Sequence, residues 1–314
     1  MMHQSADAFQ PSSPERDEPQ LAVVTGGAGF IGSHLIKRLL AEGWRVISLD
    51  NYFTGSEENH QPGAEYRRGH TKDIAKHIPE IPHIIFHLGE YARVTPSLEE
   101  PYLVWEHNLT GSAAVLEWAR TRSPAPFVVY AASSTKFAQG EEGRFLTPYT
   151  FAKTTVADLV QAYQKWFNLS VAIVYFYNVY GPGEPADERG TLIARLLAAR
   201  RAGKPLPLRK PGTQRRHFTH VEDIVVGLLT IAHQKAEGEF SLGAPYDEYS
   251  IEEIARMIGG PIVWLDPLPG DRSSSHLDIS AAQALGWQPR QYLADYIAQE
   301  LRAMEQEAQL CVGG

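Results

Sequence analysis

Between residues 21 and 175, short runs of apolar and β-branched positions alternate with longer stretches whose apolar residues recur at helical spacing. The runs at 21–25, 45–49, 83–88, 127–131 and 171–175 predict strands, and the stretches at 31–42, 104–120 and 149–167 predict helices. Strands that are apolar throughout and separated by amphipathic helices predict a parallel sheet covered on both faces, an α/β, doubly wound Rossmann architecture. Such sheets bind ligands at the carboxyl ends of their strands. Past Tyr180 the regularity breaks at Gly181-Pro182-Gly183; a helix is predicted over 192–202, with Pro/Gly-rich loops at 203–213 and 261–274. The expected organisation is a polar, disordered tail (1–20), a dinucleotide-binding domain (21–180) and a smaller mixed C-terminal substrate lobe (181–314) interleaved with it.

The chain has 314 residues, 43% of them hydrophobic and 21% charged, enough to bury a sizeable core. No apolar run approaches the roughly 20 residues that span a bilayer, and the N-terminus has no apolar signal core, so a cytoplasmic protein without membrane contact is expected. The single cysteine, Cys311, excludes a disulfide framework or a cysteine metal site within one chain, and no metal site is expected. A formal net charge of −8 argues against a nucleic-acid-binding face. Local arginines could still hold an anionic small molecule.

Directly after the first predicted strand, Gly26, Gly29 and Gly32 have the spacing G-x-x-G-x-x-G within TGGAGFIGSHL. Glycines there permit a tight turn and close backbone approach, so the amides at the start of the following helix, around Phe30 and Ile31, can bind a pyrophosphate at the positive end of the helix dipole. The second strand ends at Leu49-Asp50-Asn51, where a carboxylate can accept from ribose hydroxyls and would repel a 2′-phosphate; NAD is therefore expected over NADP, the alternative being that Asp50 only caps a loop.

Tyr149 and Lys153, four residues apart at the start of a predicted helix, share one helical face. A tyrosine, with its ordinary pKa of about 10, is a poor base at neutral pH, but a neighbouring ammonium favours the phenolate. The preceding strand leads into Ser133-Ser134-Thr135, hydroxyls at the carboxyl end of the sheet, where a substrate-polarising group belongs.

Together with FHLGEYARVTPSLEEPYLVWEHNLTG (86–111), YFYNVYGPG (175–183), TQRRHFTHVEDI (213–224) and DISAAQALGWQP (278–289), these motifs resemble the extended short-chain dehydrogenase/reductase family, and in particular its nucleotide-sugar 4-epimerases, over nearly all of the chain past residue 20. The resemblance implies that Ser133 is a catalytic hydroxyl, Tyr149 the general base, and Lys153 the residue that activates the base and binds the nicotinamide ribose. It places Leu88, Gly89, Glu90 and Asn108 along the cofactor and gives the substrate diphosphate to Asn178 and Arg216, with Arg93 and Ser134 nearby. It also implies epimerisation of a nucleotide sugar, expected to be a UDP-hexose, through a 4-keto sugar, and a homodimer formed by the helices at 104–120 and 149–167.

Several positions depart from the common pattern. Glu90 stands where a small alanine is usual, either as an extra acid/base group or as a ribose-binding or surface carboxylate. His70 replaces an acidic residue that commonly contacts adenine, Lys136-Phe137 replace a Val-Tyr pair, and Arg209-Lys210 occupy a loop where an aromatic often flanks uracil. Leu268 replaces a diphosphate-binding arginine, for which Arg272 is the candidate substitute. The family's 4,6-dehydratases carry Asp-Glu where this chain has Ser134-Thr135, which favours the epimerase. The alternatives are a dehydratase or decarboxylase using Glu90 and, outside catalysis, an NAD-sensing regulator.

Overall fold

The computed structural model describes residues 19–137, 141–187, 190–267 and 276–312. Strands β1 (Leu21–Thr25), β2 (Arg45–Asp50), β4 (Ile84–His87), β5 (Phe127–Ser133) and β6 (Val171–Phe176) form where the apolar runs predict them. Strand β3 (Glu65–Arg68) carries charged residues at three of its four positions, so no apolar run announces it; it lies at the sheet edge, where charges block further pairing. A seventh strand, Gly238–Leu242, joins β6 at the opposite edge. All seven run parallel, in the order Gly238–Leu242, β6, β5, β4, β1, β2, β3.

One apolar cluster, with Val24, Ile36, Phe86 and Leu228, packs one face of this sheet, and another, with Val23, Ile85, Val115 and Val156, packs the other. Residues past 181 thus complete the sheet and cover it as well as building a lobe. Chain order along the sheet reverses between β1 and β4, and the loops that follow these two strands open the crevice in which a doubly wound fold takes its ligand.

The helix Pro148–Phe167 starts at an N-cap, Thr147, whose hydroxyl accepts from the Thr150 N–H at 3.1 Å, has proline at its first position and stops at Asn168 in the left-handed region (φ 54°). The stretch predicted as one helix over 104–120 instead contains a π-helical turn, Trp105–Thr110, between Pro101–Val104 and Gly111–Arg120. Such turns re-aim side chains and recur at functional sites.

The loops predicted at 203–213 and 261–274 each contain a strand: Leu206–Arg209 pairs in parallel with Ile262–Leu265. Proline at 207 masks the alternation, but Leu206 and Leu208 on either side of it are fully buried in the lobe's own core with Leu196, Phe218 and Ile254. Among the described residues no helix is long and apolar enough to cross a membrane.

Candidate active site at the carboxyl ends of the sheet

A cavity of about 380 Å³ opens where the chain order reverses. Its floor is the glycine turn after β1. Gly26 sits at φ +73°, and a Cβ added to it would lie 2.8 Å from the Gly89 Cα, so the turns after β1 and β4 touch backbone to backbone. A Cβ on Gly32 would lie 2.2 Å from the Gly26 carbonyl oxygen, which makes glycine obligatory for packing the helix Phe30–Ala41 onto the turn. Gly29 begins that helix in extended conformation without a side-chain cap and, with Phe30 and Ile31, lines the cavity. An uncapped helix start facing a cavity suits the phosphates of a dinucleotide.

Asp50 and Asn51 border the same cavity. Asp50 is buried, and its carboxylate accepts from the Ala28 N–H at 2.9 Å and the Tyr52 N–H at 2.8 Å. Burial pushes its pKa up, against those two hydrogen bonds, which pull it down. Each oxygen keeps a further acceptor site, so the group can hold the turn and still receive a hydroxyl. His70 and His107 line the next stretch of wall, and burial lowers the pKa of both imidazoles. With Glu106 they bring ligand atoms within 4.8 Å of one another, but Glu106 is already paired with the Lys72 ammonium.

At the other end Leu88, Gly89, Glu90 and Arg93 come from the loop after β4, Ser133 and Ser134 from the end of β5, and Tyr149 and Lys153 from the first turns of the helix Pro148–Phe167. Tyr149 and Lys153 are each 7% exposed. Ser133 Oγ accepts from the Thr135 N–H at 3.3 Å, and Lys153 Nζ donates to the Ala131 carbonyl at 2.6 Å and to Glu90. Glu90 is therefore an internal partner of the lysine at the cavity wall, with its side chain only 1% exposed, and not a surface carboxylate.

Asn178 lines the cavity while its amide donates to the His217 carbonyl at 2.8 Å. Three residues expected here are placed otherwise. Asn108, in the π-helical turn, spends both ends of its amide on the backbone of Tyr91, at 2.7 and 3.0 Å, and so clamps the loop that carries Glu90 instead of lining the cavity. Arg209 donates to the Asp266 carbonyl at 2.8 Å, and buried Arg216 donates to the Arg215 carbonyl at 2.8 Å; neither borders the cavity. Arg272 lies outside the described residues. Glu184 was not anticipated. It lines the cavity and accepts from the Thr191 N–H at 2.6 Å, while burial pushes its pKa up to about 7. The one signal for it was an acidic residue just after the Gly-Pro-Gly break.

A family model described as the NAD dependent epimerase/dehydratase family matches residues 22–243. The chain is 30% identical over 292 residues to UDP-glucuronic acid decarboxylase 4 of Arabidopsis thaliana, covering 85% of this chain and 65% of that one. It therefore spans just under two thirds of that relative's length. It is 28% identical over 289 residues to a putative UDP-glucose 4-epimerase of Methanocaldococcus jannaschii, covering 86% and 93%. The fold matches the UDP-glucose 4-epimerase of Thermus thermophilus, solved in complex with NAD, with a TM-score of 0.81 at 25% identity over 91% of this chain and 99% of that one. A seven-stranded parallel sheet, a glycine turn crowded to backbone contact at the reversal of chain order, and a family model that matches from β1 to the last strand of that sheet agree: the chain belongs to the NAD dependent epimerase/dehydratase family.

Proposed function

We propose that the protein is a nucleotide-sugar 4-epimerase that inverts C4 of a UDP-hexose through a transient 4-keto sugar. One observation carries this: Ser133, Tyr149 and Lys153, from a strand end and a helix start, line one cavity beside the glycine turn. When bound, NAD supplies a hydride acceptor that returns what it takes. Tyr149 would remove the C4 hydroxyl proton and later give it back, and Ser133 would hold the oxygen as its charge changes. Lys153 would orient the ribose and favour the phenolate. Gly26, Gly29 and Gly32 would seat the pyrophosphate, Asp50 the adenosine ribose, and Asn178 with Arg93 the substrate diphosphate.

A second reading, decarboxylation of a UDP-hexuronic acid, draws support from relatives named as UDP-glucuronic acid decarboxylases. Against a separate acid at position 90 stands the geometry of Glu90, whose oxygens are taken by Lys153 and Ser112. A homodimer is also proposed, supported by exposed Trp166 on one of the helices expected to pair and exposed Tyr102 just before the other, and light scattering in solution would check it. The activity is tested by incubating the protein with UDP-, TDP-, GDP- and CDP-sugars, with and without added NAD, and analysing products by mass spectrometry and NMR. A C4 epimer of unchanged mass supports the proposal; loss of carbon dioxide or water refutes it.

A further inference from the structure

Beneath the cavity runs a buried chain of polar groups that ends on Lys153. The Gly89 N–H donates to Thr25 Oγ1 at 3.0 Å, and Thr25 Oγ1 lies 2.8 Å from His87 Nδ1. His87 Nε2 lies 2.8 Å from Ser112 Oγ, which donates to Glu90 Oε1 at 2.7 Å. The Tyr130 hydroxyl donates to the same oxygen at 3.3 Å, and Glu90 Oε2 takes the Lys153 ammonium. Burial, against an opposing pull from Glu90 and with a smaller push from Lys153, drives the His87 pKa down to about 4, so the ring is neutral at physiological pH. A neutral ring offers one donor and one acceptor, and only one assignment satisfies every contact: Thr25 donates to Nδ1, Nε2–H donates to Ser112, and Ser112 donates to Glu90. Burial and the Glu90 charge hold Tyr130 firmly as the phenol, which donates. Every neighbour of Glu90 therefore donates to it, as a carboxylate requires.

A carboxylate whose side chain is 1% exposed and paired with an ammonium 7% exposed neutralises that charge locally. From this arrangement we infer that Glu90 is a positioning and charge-balancing residue: it holds Lys153 and offsets its charge, so that the bound nicotinamide favours its oxidised, cationic form. This rests on the NAD site proposed above, in which Lys153 borders the nicotinamide ribose. A lone ammonium would favour the neutral, reduced ring; the added carboxylate favours the cation and so favours return of the hydride to the keto sugar. That bias suits an enzyme whose cofactor must end each cycle as it began.

The test is the midpoint potential of NAD bound to the full-length protein, measured without any sugar by equilibration with a redox dye and absorbance at 340 nm. Glu90→Gln and Glu90→Ala, each removing the charge, are expected to raise the ratio of reduced to oxidised bound cofactor on the order of tenfold, about 30 mV for a two-electron couple. Glu90→Asp, which keeps the charge, is expected to stay near wild type. Unchanged potentials in both neutral variants, an equal shift in Glu90→Asp, or loss of cofactor binding in both neutral variants overturns the inference. Because no sugar is present, the outcome stands apart from the proposed reaction: a sugar panel without turnover would remove the epimerase and leave this measurement readable.

Discussion

Two glycines of the same turn should fail in different ways. Gly32→Ala places a methyl 2.2 Å from the Gly26 carbonyl oxygen and 2.8 Å from the Gly27 Cα, both backbone atoms that cannot swing aside. Relief requires the helix Phe30–Ala41 to move off β1, and overpacking of this kind costs about 1–3 kcal/mol. Gly29→Ala meets only the Gly26 oxygen at 3.2 Å, and the φ of −84° at Gly29 suits any L-residue. Its cost without cofactor is expected below about 1 kcal/mol, because the new methyl meets so little. Gly29 borders the cavity at the helix start, so the same methyl should obstruct the pyrophosphate. Urea unfolding without cofactor and calorimetric titration with NAD separate the two effects. Gly32→Ala should lose stability and binding together, whereas Gly29→Ala should keep its unfolding midpoint and lose roughly tenfold or more in affinity, about 1.4 kcal/mol. If Gly29→Ala unfolds as easily as Gly32→Ala while binding NAD normally, the assignment of this turn to the pyrophosphate is wrong.

Tyr149→Phe should retain NAD binding in calorimetry and lose turnover by about a hundredfold or more, the usual scale for a general base; near-normal turnover would remove Tyr149 from that role. Asp50→Ala should weaken NAD more than NADP in parallel titrations, since the lost acceptor serves only an unphosphorylated ribose; it should also lower stability, because two backbone N–H groups lose their partner. Glu184→Gln should raise the melting temperature at pH 8 and leave it unchanged at pH 4. A carboxyl whose folded pKa is raised to about 7 carries no penalty below its unfolded pKa and the full penalty above 7, so the gain grows between those limits. It is expected at about 1–2 kcal/mol, short of the whole shift because Glu184 is only half-buried.

The central sheet was readable because its strands are buried on both faces and therefore apolar along their whole length, as in Ala22, Val23 and Val24. Strand β3 and the pair Leu206–Arg209 with Ile262–Leu265 were not, because they lie at edges or on the lobe, where charges and Pro207 interrupt the pattern and pairing is decided by distant segments. The cavity lining was readable where it depends on spacing along one element: the glycine turn, and Tyr149 with Lys153 one helical turn apart. It was not readable where a side chain's direction depends on a tertiary partner. Asn108 turns onto Tyr91 because the π-helical turn rotates it there, and Glu90 meets Lys153 across 63 residues of chain. Arg209 and Arg216, both on short strands of the lobe, donate to nearby carbonyls, a choice that leaves no mark in the sequence.

In the proposed reaction hydride leaves C4 of the sugar and returns to it within one active site. A UDP-hexose deuterated at C4, incubated with the protein and NAD and followed by NMR and mass spectrometry, tests it directly. A C4 epimer of unchanged mass is expected, with deuterium retained at C4 and no net accumulation of NADH. A product lacking the deuterium, or one that has lost carbon dioxide or water, would contradict it.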